Sequence, residues 1–96
     1  MNQQPQSIQV KASDEVLKGI YATHMQVAHS KEEFILDFMN LFPPQATLTS
    51  RIIISPGHMK RMVKALAENI KKYEEKFGGI ETVSEGPKEI GFRVEK

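Results

Sequence analysis

A helix with a written start and a written stop occupies residues 55–79, and nothing else in the chain limits the fold so tightly. Ser55 can cap the first turn, because its hydroxyl accepts an amide that the helix itself cannot satisfy. Pro56 suits the first helical position, where a missing N–H costs nothing. Gly78 and Gly79 follow the last periodic residue and can take a left-handed C-cap conformation. Between these signals Met59, Val63, Leu66, Ile70, Tyr73 and Phe77 recur at steps of four, three, four, three and four. That is the a/d spacing of a coiled-coil seam. It runs for roughly 27 Å of helix, with Leu66 and Ile70 at its centre, and it has to be buried against something.

The residues before the helix alternate with the period of strands. Ile8, Val10 and Ala12 suggest a short first strand. Ser13 to Lys18 is charged and open to either reading. Gly19 to His29 reads as a strand, then a polar connection, then a second strand from Glu33 to Leu41 with apolar residues on both faces. Pro43 and Pro44 cannot sit inside a central ladder. Gln45 to Ile54, rich in Thr and Ile, resumes as a third strand. On strict alternation Ala46, Leu48, Ser50, Ile52 and Ile54 share one face. The expected fold is therefore α+β, an antiparallel meander of three to four strands followed by one long C-terminal helix packed on one face. The expected organisation is a disordered lead-in at 1–7, one domain at 8–79 and a loose tail at 80–96. Ile90, Phe92 and Val94 alternate in that tail and offer a short edge strand.

Composition excludes several function classes. Thirteen Lys and Arg against twelve Asp and Glu give a net charge of +1, with no global bias toward nucleic acid or anionic membranes. The absence of cysteine removes disulfides and thiolate chemistry. No apolar run reaches the ~20 residues that a membrane span needs. The polar, Gln-containing start is neither a signal peptide nor a basic presequence, so the cytoplasm is the expected location.

Several blocks stand in a distinctive order: Gly19-Ile20-Tyr21-Ala22, Val27-Ala28-His29-Ser30, Glu33 through Phe38, Ser50 through Pro56, Lys60-Arg61, Ala65-Leu66, Glu68-Asn69-Ile70 and Tyr73-Glu74. Through them the chain resembles a family of small prokaryotic proteins catalogued as a domain of unknown function, over roughly residues 16–79. The resemblance implies no activity, cofactor or catalytic residue. The order of strands before one long helix is also loosely similar to the protein-export chaperone fold, at the level of fold alone.

The residues that carry chemistry are sparse. His24 and His29 lie five apart and face opposite sides of a regular strand, and His58 is distant, so no metal site is expected. No glycine-flanked nucleophile and no phosphate loop is present. Asp37 sits between apolar neighbours, where a carboxylate serves either as a general acid or as the cross-strand partner of Arg51; the ion pair is the simpler reading. The helix start is the sharpest candidate. Gly57, His58, Lys60, Arg61 and Lys64, together with Arg51, gather positive charge where the helix dipole is already positive. They form either an anion-binding site or a solvated face.

A small core, apolar residues on both strand faces and a single helix to cover them together predict a homodimer or larger assembly. The expected function is that of a non-enzymatic, self-associating binding protein whose partner is another protein. The alternative is anion or nucleic-acid binding through the basic helix start. No cofactor and no membrane partner are expected.

Overall fold

The computed structural model describes residues 7–82. In chain order they form α1 (Asp14–Lys18), β1 (His24–His29), β2 (Phe34–Phe42), β3 (Gln45–Ile54) and α2 (Pro56–Phe77). The strands make one antiparallel sheet in the order β1-β2-β3. A meander followed by a long helix is the α+β architecture that the alternation predicts. The first six residues of the lead-in and the edge strand expected at 90–94 lie outside the described residues.

Two expectations near the start of the chain need correction. No strand forms around Val10; residues 7–13 have no regular structure, and Ile8 and Val10 are exposed. The strand expected from Gly19 begins only at His24: Gly19 closes α1, and residues 20–23 connect the two elements without strand structure. Ser13 caps that helix by accepting from the Val16 amide at 3.2 Å. Asp14 and Glu15 suit the positive end of its dipole, and Lys18 the negative end. Gly19 ends it with φ +77° and ψ 171°, a region open essentially to glycine alone.

Short connections then set the meander. Between β1 and β2, the Ser30 hydroxyl accepts from the Glu32 and Glu33 amides, and the Ser30 amide donates to the Glu33 carbonyl. Between β2 and β3, Phe42 pairs with Gln45 across Pro43–Pro44, whose peptide bond is cis. The prolines thus occupy the hairpin tip, where no ladder amide is needed. Thr23 anchors the other side: its hydroxyl accepts from the Leu41 amide at 2.9 Å.

The register of β3 departs from strict alternation. Phe38 pairs with Ser50, but Met39 pairs with Leu48, so Thr49 is an extra residue. A bulge of this kind flips every residue beyond it to the opposite face. Ser50, Ile52 and Ile54 share the face of Phe38, Leu36 and Phe34. Leu48 and Ala46 move to the face of Met39 and Leu41, away from the residues that alternation groups them with. Thr49 hydrogen-bonds the Phe38 carbonyl through its hydroxyl at 3.0 Å.

The core formed by the described residues is small. Leu36 is 3% exposed and Met39 is 6% exposed; both sit on the central strand, one on each face. The substantial contacts between elements are those of β1 with β2 and of β2 with β3. Helix α2 starts and stops as its end signals predict, yet it has no buried residue. Pro56, Met59 and Met62 are its least exposed residues. The seam therefore meets solvent in the single chain, whereas the expected packing of the helix on one face of the sheet would bury it.

Candidate functional site

The seam of α2 is an exposed apolar stripe. Val63 is 54% exposed, Leu66 58%, Ile70 49%, Tyr73 50% and Phe77 65%. The Tyr73 and Phe77 rings touch at 5.0 Å between centroids, and the Lys76 ammonium lies 5.3 Å from the Phe77 ring. An apolar stripe this long facing water is unusual for a chain that acts alone.

The flanks of the seam differ in character. In heptad terms Val63, Ile70 and Phe77 are a positions, and Met59, Leu66 and Tyr73 are d positions. On the e side lie Lys60, Ala67 and Glu74, seven residues apart. On the g side lie Met62, Asn69 and Lys76. Met59, Lys60, Val63, Lys64 and Ala67 together line a shallow cleft on the e side. Glu74 sits farther along the same side, where its Oε2 accepts from the Ile80 amide at 2.9 Å. A reading of a and d positions alone misses Ala67 and Glu74; extending the heptad labels to e brings them in.

The basic helix start is only partly assembled. Gly57, His58, Lys60, Arg61 and Lys64 share the first three turns of α2. The Ser55 hydroxyl already takes the His58 amide at 3.2 Å, and the Ser55 carbonyl takes the Met59 amide at 3.0 Å. Pro56 has no amide to offer, so Gly57 alone remains in the first turn for an anion. The Arg61 guanidinium folds back over Gly57, 3.6 Å from where a Cβ would stand.

Arg51 stands apart from that group. It lies on β3 directly opposite Asp37 on β2. Its Nε donates to Asp37 Oδ1 at 2.8 Å and its second terminal nitrogen, Nη2, to Oδ2 at 2.9 Å. This two-point clasp is the cross-strand pair that the sequence predicts. The Arg51 hydrogen bonds hold the Asp37 carboxyl below its ordinary range; partial burial works against them, and the opposite charge adds to them. The same pairing raises Arg51 above its ordinary range. A carboxylate so clasped is a poor general acid.

The histidines do not converge. His24 pairs with Met39 and His29 with Phe34, which places them on opposite sheet faces as their spacing requires. His24 Nδ1 is 2.8 Å from the Thr23 hydroxyl, and the His29 ring packs 5.5 Å from the Phe34 ring. Among the described residues no group of three or more His, Asp or Glu is placed to hold a metal ion. Nor is any described helix long and apolar enough to cross a membrane.

Comparison with known proteins fits this sparse picture. A family model described as "Protein of unknown function (DUF3467)" matches residues 1–82. The chain belongs to that family. The blocks from Gly19 to Glu74 fall inside the matched span, as the resemblance in the sequence implies. No curated protein and no solved structure matches the chain. DUF3467 membership therefore brings no activity, and the chemistry of this member has to be argued from its own surfaces.

Proposed function

We propose that this DUF3467 protein is a non-enzymatic, self-associating interaction protein of the cytoplasm that binds another protein. The observation that carries the reading is the seam of α2, five of whose six side chains are roughly half to two-thirds open in the single chain. Two buried residues make a small core for the described residues, and association is the cheapest source of further burial. The sheet supports binding of a partner protein as well. Its order leaves the outer edges of β1 and β3 without a neighbouring strand among the described residues. Open edges accept an extended peptide as an added strand.

Anion or nucleic-acid binding is the weaker alternative. The net charge is +1, Arg51 is clasped by Asp37, and capping leaves one first-turn amide. Sedimentation equilibrium at micromolar concentration tests the leading reading. The expected mass is at least twice 10.9 kDa. A monomer across the whole range refutes it.

A further inference from the structure

We infer that two copies of this chain pair through α2 in antiparallel orientation, with Ala67 of each at the crossing and Lys60 of each facing Glu74 of the other. The inference rests on the self-association reading and supplies its geometry.

The seam matches itself when one copy is reversed. In an antiparallel pair an a position packs beside a d position of the other helix. Reversal about residue 68 sets Met59 against Phe77, Val63 against Tyr73 and Leu66 against Ile70, each twice by symmetry. Met59 and Val63 face aromatic rings toward the ends, and Leu66 meets Ile70 at the centre. No seam residue is left without a layer.

The flanking charges select the same arrangement. Antiparallel helices bring e positions opposite e positions. Lys60 and Glu74 lie seven residues to either side of Ala67, or ~10 Å along the axis in each direction. Along the e flank, partners are staggered two residues from the a-to-d layers, so the same reversal centres there on residue 67 and places the Lys60 ammonium beside the Glu74 carboxylate at both ends of the crossing. Ala67 meets Ala67 between them, and a pair of methyl groups lets the axes approach closely. The cleft beside Met59, Lys60, Val63 and Lys64 is where the incoming Glu74 would sit.

A parallel pair has none of these features. There e faces g, so Lys60 meets the cap residue Ser55 and Glu74 meets Asn69. It would also bring both basic helix starts together and align the two dipoles, which is unfavourable. The area is sufficient for the antiparallel pair. The five open seam side chains withdraw on the order of 100 Å² each, so the pair buries ~1,000 Å², the lower bound for a specific interface.

Charge reversal with rescue tests the orientation. Lys60→Glu and Glu74→Lys should each weaken dimerisation by about tenfold, because each turns two attractions into two repulsions. The double variant Lys60→Glu/Glu74→Lys should return to near the parent affinity. An equimolar mixture of the two single variants should form heterodimers in preference to either homodimer. Residues 60 and 74 are ~21 Å apart on one helix, so rescue cannot arise within a chain. The double variant also loses the Glu74 contact to the Ile80 amide, so recovery is not a capping effect.

A spin label on His58→Cys gives a second, independent reading, since the chain has no cysteine of its own. Reversal separates the two labels by ~30 Å, whereas a parallel pair holds them within ~20 Å. A dimer with short label distances, or with no rescue, overturns the antiparallel pairing and leaves self-association standing. A chain that stays monomeric overturns both.

Discussion

Truncating Leu66 to alanine separates a seam that packs between chains from one that packs within a chain. Leu66 is 58% exposed in the single chain. Burying a leucine side chain completely is worth ~1.5–3 kcal/mol. Covering the open part is therefore worth ~1–2 kcal/mol for each copy. A two-fold pair contains the residue twice, which brings the interfacial contribution to ~2–4 kcal/mol. Leu66→Ala should accordingly raise the dissociation constant by roughly 30- to 700-fold. The folded monomer should lose less than ~1 kcal/mol, because most of the removed surface already faces water. Sedimentation equilibrium over a wide concentration range reads the first quantity. Urea denaturation at concentrations below the dissociation constant reads the second. An unchanged dissociation constant, or a loss of ~2–5 kcal/mol that is the same at every concentration, would mean that Leu66 sits in an intrachain core, and the interfacial reasoning would be refuted.

Two further outcomes follow from the sheet. Leu36→Ala should cost ~2–5 kcal/mol at every protein concentration, since Leu36 is the most buried residue described and lies on the central strand; a urea midpoint equal to that of the parent would refute its role as core. Asp37→Asn should destabilise the fold near neutral pH and less so in acid. The carboxyl is held below its ordinary range by Arg51, so its contribution is fully present above the unfolded-state value of ~4 and is lost as pH falls through the folded value. Arg51 stays charged throughout. A parent-to-variant difference that keeps its full size at pH 2, or that 1 M salt leaves untouched despite the partial exposure of the pair, would contradict this account.

Much of this fold is legible in local chemistry. Ser55, Pro56 and Gly78 set the ends of α2 because capping involves only residues within one turn of each other. The limits of β3 follow from Pro44 before it and Ser55 after it. The Asp37–Arg51 clasp follows from two charges in strands that a two-residue hairpin tip brings side by side. The Ser13 cap, the acidic pair behind it and Gly19 are equally local, and they outweigh the alternation that extends β1 back to residue 19.

Other features are decided only when the chain is assembled. The bulge at Thr49 arises where the threonine hydroxyl reaches the Phe38 carbonyl across the hairpin, and it sends Leu48 and Ala46 to the face opposite the one that their spacing implies. No local signal marks it, because register is a property of two strands together. The environment of the α2 seam is of the same kind. Spacing alone determines that Met59, Val63, Leu66, Ile70, Tyr73 and Phe77 form a stripe that water disfavours. What covers the stripe depends on where the helix stands relative to the sheet, and in this structure the helix leaves it open. The hydrophobic effect requires burial but does not say which chain provides it.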